Sequence, residues 1–388
     1  MNNKKKNNNR RSFIARSTLG TGGMFAGLSK SKNVSAGVRS NPKIRSSLDL
    51  LKAGIIFNGS GHGFSSWPAA INAENRTRHT KMVVTHGWSF RRKYRDAFKE
   101  RFGCAVVNNF DDMIGKIDCL LVDDFWAVSW YHKLLQPFIE ANIPIVVDRP
   151  FSTSRPKAKF ILDLAKKHNT PITTGTSYEY PKEAAMARQY VKEIGGDIRG
   201  YCAHTYMTDF YSHGIHGINW AHRILCQGIE DGRVLTASYK TTNWHRPNGI
   251  VTLKHEGRNG GKSFYGVIQL NQPYDAWAWI KIYGDGQPYE QWYRRGRKGW
   301  DDDYIHCPEV FLVDQKMIET GKMPESYEDI LIKFTVFLGA FKSHRLHNGD
   351  PVALAEVGDW DAGPPPKLYS GDRFYYTNEE AKEWEKLF

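Results

Sequence analysis

The sequence predicts an α/β protein that contains two different sheets. From residue 52 to residue 172, short apolar segments alternate with amphipathic ones, which is the pattern of a parallel sheet covered by helices on both faces. After residue 200, longer extended runs are separated by turn signals, which indicates an open, mainly antiparallel sheet. We therefore predict an N-terminal doubly wound parallel sheet followed by a C-terminal α+β domain.

The length of 388 residues is sufficient for two domains, each with a core of its own. Four regions are predicted: a signal or disordered segment at 1–46, the parallel-sheet domain at 47–172, the α+β domain at 173–355, and a C-terminal tail at 356–388. The tail contains a run of prolines at 364–366, which predicts a connector, and a short helix at 379–387.

The positive charge of the chain is concentrated at its N-terminus. Residues 1–45 contain eleven lysines and arginines and no acidic residue, whereas the formal net charge of the whole chain is +13. The rest of the chain is therefore close to neutral, with a net charge of +2. This distribution argues against a general nucleic-acid role for the folded part, so no nucleic-acid partner is predicted.

The first 46 residues have the character of an export signal. The segment Asn9-Arg10-Arg11-Ser12-Phe13-Ile14 resembles a twin-arginine motif, and it precedes a mildly apolar run at 18–28 and small residues at 34–36. A disordered basic tail is the alternative. No other run approaches the ~20 apolar residues that a membrane span requires. We predict a protein exported by the twin-arginine route, periplasmic or otherwise exported, with no membrane association after export.

Five cysteines are present, and they are widely spaced: Cys104, Cys119, Cys202, Cys226 and Cys307. They form no Cys-x-x-Cys pair, so neither a zinc knuckle nor a disulfide framework is indicated, and most are predicted to be buried as small apolar residues. No metal site is predicted. A minor alternative is a site formed by four histidines, His204, His213, His216 and His222, although no acidic or thiolate partner lies at a persuasive spacing.

A glycine-rich turn at 58–66 separates the first predicted strand, 53–57, from a predicted helix at 67–73. At this position of a Rossmann-type sheet, glycines permit close approach of a pyrophosphate and the helix N-terminus offers free N–H groups. The spacing is Gly-x-Gly-x-Gly instead of Gly-x-Gly-x-x-Gly, so the motif alone is weak. The predicted cofactor is NAD or NADP, and the turn residues predicted to contact it are Gly59, Gly61, His62 and Gly63.

Charged residues follow the later strands of this sheet. The second strand, 81–86, lacks the acid that usually binds the ribose hydroxyls. It is followed by three basic residues that could neutralise a 2′-phosphate, although a solvated helix face is favoured: Arg91, Arg92 and Lys93. Because the carboxyl ends of parallel strands meet at one edge, the residues after the next strands are also predicted to line the cofactor site: Asp123, Asp148, Arg149 and Pro150.

Three histidines occur within ten residues at 213–222. Helical spacing places His213, His216 and Asn219 close to one face, while the isoleucines of the segment can pack inward. Two glycines, Gly214 and Gly217, would let a ligand approach the backbone. The pattern predicts a polar reacting face. The alternative is a core helix whose histidines are solvated or hydrogen-bonded for structural reasons.

The C-terminal domain is predicted to contain five strands and two helices. The strands are placed at 199–206, 234–242, 249–254, 263–270 and 277–283, and the helices at 309–319 and 327–344. Tryptophans crowd this half of the chain. Packing on a sheet face and stacking on sugar rings are both compatible with them.

The order of these features resembles the glucose–fructose oxidoreductase / inositol dehydrogenase / MocA (Gfo/Idh/MocA) family over about residues 50–355. The resemblance is carried by the glycine-rich turn, by Asp148-Arg149-Pro150 in place of the family's Glu-Lys-Pro, by the turn at 175–181, and by a helix that contains Gly214 and His216. The family's helix usually has carboxylates where this chain has Ser212 and Asn219.

The resemblance implies a nicotinamide-dependent oxidoreductase acting on a carbohydrate or polyol, and a homo-oligomer that uses one face of the second sheet. Neither Asn219 nor Arg149 can serve as a general acid or base, whereas His216 can. His216 is therefore the predicted proton-transferring group, Arg149 a fixed positive charge near a developing oxyanion, and His213 or Tyr178 an assisting group. The alternative is a protein of the same fold that has lost dinucleotide chemistry and binds or modifies a sugar without redox.

Overall fold

A six-stranded parallel sheet forms the first half of the structure. The computed structural model describes residues 50–59, 61–72, 80–176, 179–194, 198–206, 210–226, 233–241, 249–257, 261–271, 277–294, 309–364 and 376–388. The strands and helices of the first half are β1 (Leu51–Phe57), α1 (Trp67–Asn72), β2 (Met82–Trp88), α2 (Arg92–Phe102), β3 (Ala105–Val106), β4 (Cys119–Asp123), α3 (Tyr131–Leu134), α4 (Gln136–Glu140), β5 (Ile145–Val147), α5 (Arg155–His168), β6 (Ile172–Thr174) and α6 (Lys182–Glu193). The strand order is β3-β2-β1-β4-β5-β6.

The predicted doubly wound sheet is confirmed. Its two central strands explain the continuous apolar pattern: all five residues of β4 are buried, and the successive residues Ile55 and Ile56 of β1 are both fully buried. A strand covered by helices on both faces needs apolar side chains at successive positions. The strand order reverses between β1 and β4, and doubly wound sheets bind ligands at this point, beyond the carboxyl ends of the strands.

A seven-stranded mixed sheet forms the second half. The strands and helices are β7 (Gly200–Tyr206), α7 (Ile215–Leu225), β8 (Val234–Thr241), β9 (Gly249–His255), β10 (Phe264–Asn271), β11 (Trp277–Tyr283), β12 (Tyr289–Arg294), α8 (Glu309–Thr320), α9 (Tyr327–Leu346), β13 (Val352–Ala353) and α10 (Asn378–Glu385). The strand order is β12-β11-β7-β10-β9-β8-β13, and only the β7–β10 pair of this described sheet is parallel. The predicted open, mainly antiparallel sheet is confirmed.

The two faces of the second sheet differ in burial. α7 and α9 pack on one face, where Phe264 and Ile268 of β10 are buried. The other face carries large exposed side chains, with Tyr265 at 55%, Ile250 at 49% and Trp292 at 48% exposure. Cross-strand register puts these three residues on the same side of the sheet.

The long helix α9 lies between the two sheets and packs on α5 and β6 of the first half and on β8 of the second. Its start is encoded by a capping box, in which Ser326 and Asp329 each bond the backbone N–H of the other. Phe337 and Phe341 of α9 stack on Phe210, with ring centres 5.3 and 5.9 Å apart. These buried rings anchor the segment that leads into α7.

The C-terminal helix α10 packs on the first half of the structure. The helix predicted at 379–387 is present at Asn378–Glu385. Trp384 is fully buried and stacks on Phe90 at 5.0 Å and on Trp130 at 5.3 Å between ring centres. The segment is thus held by the first half instead of projecting as a tail. The predicted domain limits themselves stay predictions.

Among the helices that the structure describes, none combines the length and the apolar character needed to cross a membrane. Cys104, Cys119 and Cys226 are buried, as predicted for small apolar residues, and Cys202 is partly buried. The predicted export signal at 1–46, Tyr178 and Cys307 lie outside the described residues.

Candidate active site

The glycine-rich turn after β1 packs closely against the end of β4. Gly61 has a φ of +85°, a conformation that side chains rarely adopt, and a Cβ atom there would lie 2.6 Å from Asp123 Oδ2. The Gly63 N–H donates to the same carboxyl oxygen. At Gly59, an added Cβ would overlap with the ring of Tyr94. Close approach of side chains to the backbone of the turn therefore requires glycine at positions 59 and 61.

A buried polar cluster, consisting of His62, Asp123, Asp148 and Arg149, lies at the carboxyl ends of β4 and β5. His62 Nδ1 is 2.8 Å from Asp148 Oδ2. Arg149 Nη1 is 2.5 Å from that carboxylate oxygen and 2.9 Å from His62 Nδ1. Residues that the sequence assigned to one edge of the sheet do lie together there. Their contact with a cofactor stays a prediction, as does that of Pro150, which follows Arg149.

The two carboxyl groups of the polar cluster favour different protonation states. Burial raises the pKa of Asp123 well above its usual value, and the negative charge of Asp148 raises it further. Burial also disfavours the ionised form of Asp148, but the charges of Arg149 and His62 outweigh it and lower that pKa. The proton is therefore favoured on Asp123 over Asp148, and Asp148 is paired with Arg149.

Within the described residues, His62, Asp123 and Asp148 are close enough to share a metal ion, because one ligand atom of each lies within 4.8 Å of the others. The position of Arg149 argues against an ion. Its guanidinium contacts both His62 and Asp148 and already supplies the positive charge that compensates the carboxylate. We assign no metal to this cluster.

The minor alternative of a four-histidine metal site is wrong. Thr205 of β7 faces α7, since its Oγ1 would lie 2.9 Å from a Cβ atom at Gly217. Successive residues of a strand point to opposite faces, so His204 points to the exposed face of the second sheet. It is therefore separated by the sheet from the histidines of α7.

The histidine helix α7 is buried on nearly all sides. Ten of its eleven residues are buried, including His216 and Asn219. The helix lies between the second sheet and the helices α6 and α9, so the polar residues and the apolar residues are buried alike. His213 and His216 are nevertheless brought together, with ring centres 5.5 Å apart. The pair lies in an environment from which bulk water is largely excluded.

Gly214 and Gly217 allow protein groups, and not a ligand, to approach the helix. A Cβ atom at Gly217 would lie 2.6 Å from Ile268 Cγ2 on the second sheet, and one at Gly214 would overlap with the ring of Phe210. The predicted role in ligand approach is therefore wrong. The sequence cannot distinguish approach of a ligand from approach of a protein group, because a glycine in a helix indicates a close contact without identifying the group that makes it.

A buried charge network lies at the end of β6. Lys333 of α9 donates to Thr174 O at 2.6 Å, to Glu179 Oε2 at 3.1 Å and to Glu325 Oε1 at 2.6 Å. Burial disfavours the charged lysine, but the two carboxylates outweigh it and raise the pKa of Lys333. Burial raises the pKa of Glu325 to about 7, although Lys333 opposes the shift.

The charge network connects α7 to the parallel sheet. Glu179 accepts a hydrogen bond of 3.0 Å from Asn219 Nδ2. Thr174, which accepts from Lys333, is paired in the sheet with Val147, and Val147 directly precedes Asp148. The helix that carries His216 is thus fixed, through three hydrogen bonds and one strand pair, to the strand that ends at the polar cluster.

Sequence reasoning missed Lys333 and Glu179. A signal for Lys333 was present in the sequence, where it is the single lysine within the apolar run Ile330-Leu331-Ile332-Lys333-Phe334. A lysine in such a run is predicted to be buried, and a buried lysine needs an acidic partner.

The expectation for Arg91 was wrong. This residue does not belong to a solvated face but forms an ion pair with Glu380, whereas Arg92 is solvated as expected, with 85% of its side chain exposed.

A cavity of about 20 Å³ lies beside the polar cluster and is lined in part by Asp148, Tyr180 and Asp314. Asp314 of α8 is 4% exposed. Burial raises its pKa to about 8. A carboxylic acid in this position stays protonated in the folded protein at a pH where the unfolded chain has already released the proton.

Asp314 is expected to make the protein less stable as the pH rises from about 4 to about 8. Because the folded state holds a proton that the unfolded state has lost, the free energy of unfolding falls by up to about 1.4 kcal/mol per pH unit in this window, and the effect levels off above the folded pKa. Asp314→Asn should remove this slope. Urea unfolding at several pH values, with Asp163→Asn at an exposed ion pair as control, tests this; equal slopes in wild type and Asp314→Asn would contradict it.

No protein-family model and no curated protein sequence matches the chain, but solved structures do. Scyllo-inositol dehydrogenase from Lactobacillus casei with bound NAD(H) and scyllo-inositol matches with a TM-score of 0.60 at 14% identity, over 79% of this chain and 99% of its own. Myo-inositol 2-dehydrogenase from Lactobacillus plantarum matches with a TM-score of 0.60 at 13% identity, over 78% and 99% of the two chains. An oxidoreductase from Agrobacterium radiobacter in complex with NAD+, L-tartaric acid and magnesium matches with a TM-score of 0.60 at 14% identity, over 79% and 98%.

The likeness to these structures defines the fold. The chain has the architecture of the Gfo/Idh/MocA dehydrogenases, with an N-terminal Rossmann-type sheet and a C-terminal sheet of mixed direction. At such low identity the likeness shows the fold alone, since one fold can carry many different chemistries.

The glycine-rich turn fits the phosphates of a dinucleotide. The Gly63 N–H donates to a carboxyl oxygen of Asp123, so this amide is directed at an acidic oxygen, the kind of acceptor that a phosphate also offers. The raised pKa of Asp123 favours its neutral form, which carries no charge to repel a phosphate. Arg149 lies close by in the polar cluster, where its permanent positive charge is paired with Asp148.

Proposed function

We propose that this protein is an exported, nicotinamide-dependent oxidoreductase that acts on the CH–OH group of a carbohydrate or polyol. The observation that carries the proposal is the glycine-rich turn at the point where the strand order reverses, with a backbone amide directed at an acidic oxygen and Arg149 nearby. NAD(H), scyllo-inositol and L-tartaric acid are bound by proteins of the same fold, which supports this class of cofactor and substrate.

The dinucleotide would be held by the turn and the polar cluster, through Gly59, Gly61, His62, Gly63, Asp123, Asp148, Arg149 and Pro150. When bound, a nicotinamide ring supplies the acceptor or donor of a hydride. Arg149 supplies charge and orientation and no proton, because a guanidinium stays protonated. Its position is fixed by Asp148. Whether the dinucleotide is NAD or NADP depends on the residues at the end of β2.

His216 is the proposed proton-transferring residue. Oxidation of an alcohol releases a hydride from carbon and a proton from oxygen, and the proton needs a base. Asn219 and Arg149 cannot serve, since an amide does not titrate and a guanidinium does not release its proton. His216 has an imidazole, which can accept a proton from an alcohol oxygen and release it again. It is buried and next to His213, which could relay the proton. Tyr178 is a further candidate for assistance.

A spectrophotometric screen tests the proposed activity. The purified full chain is incubated with NAD+ or NADP+ and a panel of inositols, aldoses and sugar acids, and the absorbance of reduced nicotinamide is followed. We expect reduction that requires both enzyme and one class of polyol. Absence of reduction across the panel, together with absence of oxidation of the reduced cofactor by the corresponding ketones, would reject the proposal.

The alternative function is a non-redox protein of this fold that binds or modifies a carbohydrate. It is favoured by the absence of the usual lysine and carboxylates at Arg149, Ser212 and Asn219. It predicts that a sugar binds while no dinucleotide does, and that unfolding the purified protein releases no nicotinamide. Mass spectra of the unfolded protein and calorimetry with both kinds of ligand distinguish the two functions.

A homo-oligomer built on the exposed face of the second sheet is part of the proposal. Tyr265, Ile250 and Trp292 lie on this face, and each exposes about half of its side chain. Large apolar side chains clustered on one face of a soluble protein are typical of a protein–protein contact. A second copy of the chain is the proposed partner.

Export by the twin-arginine route is proposed from the N-terminal segment. Replacing Arg10 and Arg11 by lysine is expected to retain the protein in the cytoplasm of its host, because the motif is read as a specific pair and not as charge alone. Arg16→Lys is the matched control, since it makes the same chemical change outside the motif. Cell fractionation gives the distribution. Normal export of the double variant would favour the alternative of a disordered basic tail.

A further inference from the structure

The C-terminal segment, residues 376–388, lies across the carboxyl edge of the parallel sheet. Asn58 directly follows β1 and Asp124 directly follows β4, so both mark the point where the strand order reverses. The hydroxyl of Tyr376 donates to Asp124 Oδ2 at 2.6 Å and accepts from Asn58 Nδ2 at 3.3 Å. The tyrosine therefore occupies the edge between the two central strands.

A second contact of the segment lies at the end of β2. Glu380 of α10 binds the guanidinium of Arg91 through two hydrogen bonds, with Nε to Oε1 at 2.6 Å and Nη2 to Oε2 at 2.7 Å. Arg91 comes three residues after the last residue of β2, Trp88. The guanidinium also lies over the ring of Tyr376, 5.1 Å from its centre. Arg91 is thus enclosed by the C-terminal segment.

Aromatic packing holds the segment in this place. The ring of Trp384 lies between Phe90 and Trp130 and makes an edge contact with Trp88 at 5.6 Å. Trp130 donates from Nε1 to Glu385 at 2.5 Å. The contacts come from the loops after β2 and β4, so the segment covers the same edge that the glycine-rich turn faces.

The covered edge is where a doubly wound sheet binds the adenosine half of a dinucleotide. The pyrophosphate lies at the turn after the first strand, and the residue after the second strand binds the ribose hydroxyl or a 2′-phosphate. In this chain the residue available for that contact is Arg91, and its present partner is the carboxylate of Glu380. The segment thus places an anion on the arginine that would bind a ribose phosphate.

We propose that the C-terminal segment and a dinucleotide compete for the carboxyl edge of β2, β1 and β4, so that the segment must leave before the adenosine half can bind. The proposal rests on the proposed function and adds a regulatory step to the same site. It also implies a preference for NADP over NAD. Arg91, once released from Glu380, is a cation that can bind a 2′-phosphate, whereas the ribose hydroxyl of NAD is usually bound by an acidic residue at this position.

Competition has a measurable consequence for affinity. If only a fraction of the molecules has the segment displaced, the apparent dissociation constant is the intrinsic one divided by that fraction. Glu380→Gln removes the negative charge that pairs with Arg91 and should tighten NADP+ binding by about 10-fold. The matched control is Glu383→Gln on the same helix, whose carboxylate pairs with Lys386 at the surface. It should leave the affinity unchanged.

Hydrogen exchange of the full chain tests the displacement itself. With saturating NADP+, we expect amides of Asn378–Glu385 to exchange at least about 10-fold faster, while amides of the glycine-rich turn become slower. If NADP+ or NAD+ protects the turn and leaves α10 unchanged, competition is rejected and the proposed function stands. If neither dinucleotide changes exchange anywhere or binds in calorimetry, for wild type and for Glu380→Gln, then both the cofactor assignment and the competition are rejected.

Discussion

Replacement of His216 by alanine is expected to lower turnover by roughly 10²–10⁴-fold, the usual cost of removing a general base. The substrate affinity should change little, because the imidazole is proposed to act in proton transfer and not in binding. Turnover per folded molecule has to be measured beside the melting temperature, since His216 is buried and its removal leaves a gap. Near-normal turnover of the folded fraction would assign His216 a structural role.

Two further variants separate chemistry from packing at this helix. His216→Gln keeps a polar side chain of similar size but cannot exchange a proton near neutral pH, so it should be as inactive as His216→Ala and more stable. His222→Gln is the control on α7. Burial, followed by the charge of Lys333, lowers the pKa of His222 to about 3. His222 is therefore neutral across the assay range, and its replacement should leave the pH dependence of turnover unchanged.

Gly61→Val is expected to abolish dinucleotide binding. The backbone at Gly61 has a positive φ, and a Cβ atom would lie 2.6 Å from Asp123 Oδ2, so the turn or the end of β4 must shift. Either shift displaces the Gly63 amide that is proposed to bind phosphate. Calorimetry with NADP+ and NAD+ should show no binding to this variant.

The control for Gly61→Val is Gly115→Val. Gly115 has a φ of +79° and no atom within 4 Å of an added Cβ, so this substitution imposes a similar backbone strain without a collision. Backbone strain should cost Gly115→Val about 1–3 kcal/mol of stability and Gly61→Val at least as much, but only Gly61→Val should lose the dinucleotide. Retained binding in Gly61→Val would show that the turn does not contact the phosphates.

The parallel sheet could be predicted because its strands are covered on both faces. β4 is the clearest case, since burial of every residue in Cys119–Asp123 forces a run of apolar residues that contains no helical period. The second sheet was predictable for a different reason. Alternation in β10, with Phe264 buried and Tyr265 exposed, is the pattern of a sheet with one covered face.

The surroundings of α7 could not be predicted, because periodicity shows which side of a helix is apolar and not how many sides are covered. α7 has neighbours on several sides, and its polar residues are therefore buried along with the apolar ones. Asn219 could be buried because Glu179 accepts its hydrogen bond. That partner is 40 positions away in the chain, which no local pattern reports.

The contact between the C-terminal segment and the first sheet could also not be predicted from local sequence patterns. Tyr376 and Asn58 are 318 positions apart, and the proline run before the segment indicated a connector without indicating where it leads. The error on Arg91 has the same origin. An arginine at the start of a helix is usually solvated, but Arg91 is largely buried because it forms an ion pair with the distant Glu380.

Transfer of deuterium from a polyol to the nicotinamide ring is the most direct test of the proposed function. The full chain is incubated with NADP+ or NAD+ and a polyol deuterated on carbon, and the dinucleotide is examined by mass spectrometry. We predict a reduced dinucleotide that carries one deuterium from the substrate carbon. A dinucleotide that stays oxidised and unlabelled while the polyol is bound would contradict it and would favour a non-redox protein of the same fold.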